Sequence, residues 1–61
     1  MSRFTLDIET ENAAFGETDQ ERRDEVARIL IETANKIKAG AWHGAARDAN
    51  GNRVGSFGTE D

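Results

Sequence analysis

Apolar and polar side chains alternate with period two along Phe4-Thr5-Leu6-Asp7-Ile8-Glu9. Successive side chains of a strand point to opposite faces, so Phe4, Leu6 and Ile8 are expected inward and Thr5, Asp7 and Glu9 outward. A helix would set Leu6 and Ile8 on opposing sides, which argues against it. From Thr18 the period changes. Thr18-Asp19-Gln20-Glu21 fits a capping box: the Thr18 hydroxyl accepts from the Glu21 amide, and the Glu21 carboxylate accepts from the Thr18 amide. The helix it opens is predicted from Asp19 to about Ala39, with Gly40 supplying a left-handed cap and Lys36 and Lys38 facing the negative end of the dipole. At about 100° per residue, Val26, Ile29, Leu30, Thr33, Ala34 and Ile37 form one stripe, the predicted core face. Ile31 lies off that stripe and, beside Ala27, outlines a candidate contact surface. The pairs Asp24–Arg28 and Arg28–Glu32 sit one turn apart and support the helix by about 0.2–0.5 kcal/mol each.

The connector from Thr10 to Glu17 holds a lone aromatic, Phe15, which is expected to plug the end of a small core. Trp42 to Phe57 reads as a hairpin around Asp48-Ala49-Asn50-Gly51-Asn52. Asp, Asn and Gly at the first, third and fourth turn positions suit a type I turn followed by a Gly bulge. In that register Asp48 faces Asn52, Arg47 faces Arg53, Ala46 faces Val54, Gly44 faces Ser56 and His43 faces Phe57. Trp42, Gly44, Ala46, Val54 and Ser56 then share the core face, and His43, Ala45, Arg47, Arg53, Gly55 and Phe57 the outer one. A two-residue loop at Asn50-Gly51 would slip the pairing by one residue and set Arg47 opposite Val54, a worse match. Gly58 to Asp61 is expected to be a frayed acidic tail.

These elements make one α+β domain over residues 1–61, of order β-α-β-β. One helix lies on a three-stranded sheet. If the first strand pairs with the last, the sheet is wholly antiparallel in spatial order 1-3-2. Pairing the first strand with the second would instead give a parallel edge through a right-handed crossover. The antiparallel order is the preferred expectation.

Size and composition narrow the role. A chain of 61 residues buries only about 60% of its unfolded surface, and without cysteine there is no disulfide to reinforce it. Dimerisation, or docking onto a larger partner, would relieve that shortage. The formal charge of −4 disfavours general binding to nucleic acid, which needs a basic face, and favours a basic protein surface. No apolar run approaches the roughly 20 residues of a membrane span, and no signal-peptide pattern follows Met1. A soluble protein of the bacterial cytoplasm is the expectation.

No residue pattern spells out catalysis. Asp48-x-Asn50-x-Asn52 has the acidic spacing of a calcium loop, but Arg53 and Thr59 occupy the positions that need Gly and a bidentate Glu. His43 is the lone histidine and has no cysteine to share a zinc site. Ser2 and Ser56 lie in no nucleophile motif, and the glycines form no phosphate loop. The expectation is a non-enzyme with no cofactor and no metal. What remains is the outer sheet face, where Asp7 and Glu9 adjoin His43, Arg47, Arg53 and Phe57. Opposite charges across strands stabilise a sheet by about 0.2–1 kcal/mol per pair, and a mixed-charge platform centred on Phe57 would also suit a partner.

Phe4-x-Leu6-x-Ile8, Asn12-Ala13-Ala14-Phe15, Arg28-Ile29-Leu30, Gly40 with Gly44, and Asp48-x-Asn50-Gly51-Asn52-x-Val54-Gly55 together resemble a group of short bacteriophage and prophage proteins. The similarity spans nearly the whole chain, and Asn12–Phe15 and Asp48–Gly55 are its most specific pieces. The chain departs from the group at Ala46, where a larger aliphatic residue is expected. The resemblance implies a viral setting and a fold, and carries over no catalytic residue. With it, the leading expectation is an accessory protein that binds another protein stoichiometrically and so inhibits a host defence or regulatory system. Two alternatives belong to other classes. One is a nucleic-acid accessory protein using Arg3, His43, Arg47 and Arg53 with Phe57 stacked on a base. The other is an acidic mimic of nucleic acid built from Asp7, Glu9, Glu11, Glu17, Asp19 and Glu21. Self-association through strand edges or the Ile31 side of the helix is compatible with all three.

Overall fold

The capping box forms as the sequence predicts: Thr18 Oγ1 accepts from the Glu21 amide at 3.1 Å, and Glu21 Oε1 accepts from the Thr18 amide at 3.2 Å. It opens helix α1, Asp19–Lys38, in a computed structural model that describes residues 2–60. At the other end the Ala41 amide donates to Lys36 O and the Gly40 amide to Ile37 O, each at 3.0 Å. This is the Schellman closure, and it needs a left-handed residue; Gly40 takes φ of 115°. No atom lies within 4 Å of where a Gly40 Cβ would stand, so Gly40→Ala meets backbone strain and no clash. It should cost about 1 kcal/mol, read as a lower urea midpoint at unchanged m-value.

Three strands complete the fold: β1 (Arg3–Ile8), β2 (His43–Arg47) and β3 (Arg53–Glu60). The sheet is antiparallel throughout in the order β1-β3-β2, so the α+β class, the β-α-β-β order and the strand order are as expected. A short 3-10 turn, Ala13–Phe15, sits in the first connector, with Asn12 Oδ1 accepting from the Ala14 amide at 2.9 Å. It drops Phe15 into the core beside Ile29, Ala46 and Val54, with Leu6, Ile8 and Val26 packed around them. Phe15 is the plug that its place in the connector suggested.

Three expectations are corrected. First, residues 58–60 are not a frayed tail. Gly58, Thr59 and Glu60 pair with Thr5, Phe4 and Arg3, and Asp61 lies outside the described residues. Second, the hairpin register changes part-way. The turn forms as predicted, with the Gly51 amide on Asp48 O, the Asp48 amide on Asn52 O, and Arg47 opposite Arg53. Beyond it a bulge inserts Val54 as an extra residue. Ala46 therefore faces Gly55, Gly44 faces Phe57 and His43 faces Gly58. Val54 stays inside while the strand beyond it flips. Phe57 turns inward at 4% exposure, and Ser56 turns outward. A buried phenyl ring is worth about 2–3 kcal/mol, more than the one irregular rung costs. The ring settles over Gly44, which offers no side chain, and stacks obliquely on Phe4 with centroids 6.1 Å apart.

Third, α1 is rolled about its axis. Its buried residues are Glu25, Ile29 and Thr33, while Leu30 is 46% exposed and Ala34 is exposed. The helix lies nearer β2 than the other strands. Ala46, small and buried, allows that approach. The molecule is long for its mass, 38 × 20 × 18 Å, with a radius of gyration of 12.1 Å against roughly 10.5 Å for a compact chain of this length.

Candidate functional site

The outer sheet face is built of three rows. Arg47 and Arg53 pair beside the turn, with Glu9 following β1 and donating its amide to Val54 O at 2.8 Å. Ala45, Ser56 and Asp7 form the middle row; His43, Gly58 and Thr5 form the next. The structure thus gathers His43, Arg47, Arg53, Asp7 and Glu9 on or beside one face. Phe57, the proposed centre of that platform, is on the other side of the sheet. On β2 and β3 the middle row carries only the small Ala45 and Ser56, because the bulge exchanged Phe57 for Ser56.

The charges on this face do not pair with one another. Among the described residues the ion pairs within 4 Å are all on α1, so Asp7 and Glu9 make none with His43, Arg47 or Arg53. Arg47 Nη1 donates to Gly51 O at 3.1 Å and stiffens the turn. Arg53 shares a shallow recess with Glu9, Glu11, Asn12 and Val54. With Phe57 buried, the aromatic platform for base stacking drawn from the sequence is not assembled.

The densest polar cluster lies at the end of the sheet. Asp48 is buried, and its Oδ1 accepts from the Asn50 and Asn52 amides, each at 2.9 Å. Its Oδ2 accepts from Asn12 Nδ2 at 2.8 Å, which ties the turn to the first connector. These donors satisfy the carboxylate, so turn formation accounts for the Asp-x-Asn-x-Asn spacing. Burial pushes the Asp48 carboxyl up, but the donors from Asn52, Asn12 and Asn50 outweigh it, and the group sits below its ordinary value.

Glu25, 8% exposed, forms the second half of the cluster. Arg28 grips it at 2.7 and 3.1 Å, and its Oε2 also accepts from the Ala49 amide at 2.8 Å. Arg28 reaches on to Arg47 O at 3.0 Å and Glu32 Oε2 at 3.0 Å, while Lys36 Nζ donates to Ala45 O at 3.2 Å. Of the two expected helix pairs, Arg28–Glu32 forms. Asp24 accepts from Gln20 Nε2 at 2.8 Å and leaves Arg28 to Glu25. The Arg28 hydrogen bonds hold the Glu25 carboxyl below its ordinary value, against the opposing pull of burial, and raise Arg28 in turn. A row of four residues on one side of α1, Glu25, Arg28, Glu32 and Lys36, therefore straps the helix along β2. The sequence paired Arg28 with Asp24 and Glu32, and Glu25 was missed. The available signal was the run of alternating charge, Glu25, Arg28, Glu32 and Lys36, at helical spacing.

The exposed large apolar side chains are elsewhere: Phe4, Leu30, Ile31 and Trp42. Ile31, at 64% exposure, projects from the outward side of α1 off the predicted stripe, between Ala27 and Ala34, which is exposed although the helical wheel set it inside. Among the described residues there is no group of three or more His, Asp or Glu placed to hold a metal ion, and no helix long and apolar enough to cross a membrane. No protein family, curated protein or solved structure matches this chain.

Proposed function

We propose that this chain acts by stoichiometric binding to another protein, as an accessory factor of a bacteriophage or prophage, with inhibition of a host defence or regulatory system as the outcome. The observation that carries this reading is the outward strip of α1. Ile31 stands 64% exposed between Ala27 and Ala34 on the side of α1 turned away from the buried Ile29. Small residues on either side of one branched aliphatic make a ridge that fits an apolar groove, and the formal charge of −4 favours a basic rim around that groove. The bacterial cytoplasm is the setting that goes with it. The sequence resemblance supports the viral origin.

The outer sheet face is the weaker contact surface once Phe57 has left it. His43, Arg47 and Asp7 there can contribute rim contacts, which tune encounter more than affinity. Ile31→Glu tests the assignment. The substituted side chain stays in water, so thermal stability should be unchanged within about 0.5 kcal/mol. Crosslinking of the wild-type chain in host lysate should give one saturable adduct that Ile31→Glu loses at least tenfold. An adduct of equal yield from both chains would contradict the assignment.

A further inference from the structure

The two edges of the sheet are not equivalent. Glu9 donates its amide to Val54 O, and the ladder continues through Asp7 opposite Ser56 and Thr5 opposite Gly58. In an antiparallel pair such residues alternate, so the backbone groups of Phe4, Leu6 and Ile8 point away from β3. The same alternation turns the carbonyls of Ala45 and Arg47 away from β3 on the opposite edge. There Lys36 and Arg28 cap them. Helix side chains therefore occupy two carbonyls of the β2 edge. At the β1 edge, no hydrogen bond of the described residues outside the β1–β3 ladder reaches Phe4, Leu6 or Ile8.

The inner side of β1 is open as well. The strap holds α1 over β2, and β1 is left with Phe4 43% exposed and Leu6 and Ile8 only half-buried. Leu30, 46% exposed, lies on the side of α1 opposite the strap, one turn from Val26, which packs against the same buried cluster as Leu6 and Ile8. The chain exposes 4531 Å², against roughly 3,900 Å² for a folded monomer of its mass. The excess, roughly 600 Å², is what each partner contributes to a small stable interface.

We propose that β1 pairs antiparallel with β1 of a second copy of this chain, joining the two sheets into one six-stranded sheet about a two-fold axis at Leu6. The occupant is argued from the strand's self-complementarity. With Leu6 on the axis, Phe4 meets the partner's Ile8, Arg3 meets the partner's Glu9 and Thr5 meets the partner's Asp7. Every outward group of Phe4, Leu6 and Ile8 finds its mate, apolar faces apolar, and the cations face anions. Centring on Asp7 sets two carboxylates against each other. Centring on Thr5 strands Ile8 opposite the partner's Ser2. In the joined sheet the two helices sit over the outer β2 strands. Phe4, Leu6, Ile8 and Leu30 of both copies then fill the valley between them. The dimer leaves Ile31 exposed, so it stands or falls independently of the partner-binding strip.

Sedimentation and amide exchange test this on the intact chain. At roughly 0.5 mM the sedimenting mass should be twice 6.7 kDa, and the Phe4, Leu6 and Ile8 amides should exchange more slowly than on dilution. Arg3→Glu and Glu9→Arg should each weaken the dimer by about tenfold, and the double exchange should restore it, with far-UV circular dichroism unchanged throughout. A 6.7 kDa species at that concentration would overturn the proposal. So would a dimer whose β1 amides exchange at the dilute rate, or a double variant that folds and remains monomeric.

Discussion

Gly55→Ala is expected to leave the chain unfolded. Gly55 faces Ile8 on one side and Ala46 on the other, next to the Val54 bulge. A Cβ there would collide with the Asp7 carbonyl oxygen, and it would stand 3.0 Å from Ile8 Cα. Those atoms are backbone, held in the β1–β3 ladder, so no side-chain rotation relieves the overlap. Relief requires β1 to move off β3, and β1 contributes the inner row of Leu6 and Ile8. Such a change costs more than about 4 kcal/mol, against a total on the order of 5 kcal/mol for a domain this small. Gly58→Ala is the matched control. Its Cβ would meet only His43 Cβ, at an ordinary 3.6 Å. Far-UV circular dichroism and proton shift dispersion should show a folded Gly58→Ala and a disordered Gly55→Ala.

The second large effect lies in the helix strap. Glu25→Ala removes the buried one of Arg28's two carboxylate partners and the acceptor of the Ala49 amide together. Breaking a buried ion pair costs about 3–5 kcal/mol, and because Arg28 is 37% exposed the expected loss here is nearer 2–3 kcal/mol. Glu25→Gln separates charge from shape and gives the pH signature. The Glu25 carboxyl is depressed in the fold, from an ordinary 4.5. A depressed acid contributes stability that is fully present above its unfolded value and is lost as pH falls through the folded one. Wild-type stability should therefore be level near neutrality, begin to fall below about pH 4.5, and go on falling until the lowered carboxyl is protonated. Urea midpoints measured from neutrality downward should show a shallower decline for Glu25→Gln. Some decline should persist, because Asp48 and Glu21 are depressed too. An identical acid limb in both proteins would mean that Glu25 is not a load point of the fold.

The local elements were legible in the sequence because their signals are short-range. The capping box, the Gly40 stop and the Asp48 turn each close within a few residues, and each forms as its residue types dictate. The elements allowed two strand orders, and the preferred antiparallel one is the order that forms. What escaped was long-range. The bulge at Val54 is decided by whether Phe57 can enter the core, and that depends on the empty place over Gly44 across the sheet. The roll of α1 is decided by Glu25 meeting the Ala49 amide, a contact between residues 24 apart. A hydrophobic wheel sees only the helix and so put Leu30 inside.

Those two misses reshape the candidate site. The platform drawn on the outer sheet face depended on Phe57, and the core has taken it. The roll that buried Glu25 left Leu30 exposed and Ile31 pointing outward. Contact potential therefore lies on the helix and on β1. The residues His43, Arg47, Arg53, Asp7 and Glu9 form a flat, hydrated face between small side chains.

The side of the sheet on which Phe57 lies decides between these pictures most directly. Nuclear Overhauser contacts from the Phe57 ring protons, measured on the uniformly labelled chain, read it without mutation. The account predicts contacts to the Gly44 α-protons and to the Phe4 ring. Contacts to the His43 and Ala45 side chains instead, with none to Phe4, would put Phe57 back on the outer face and contradict the account.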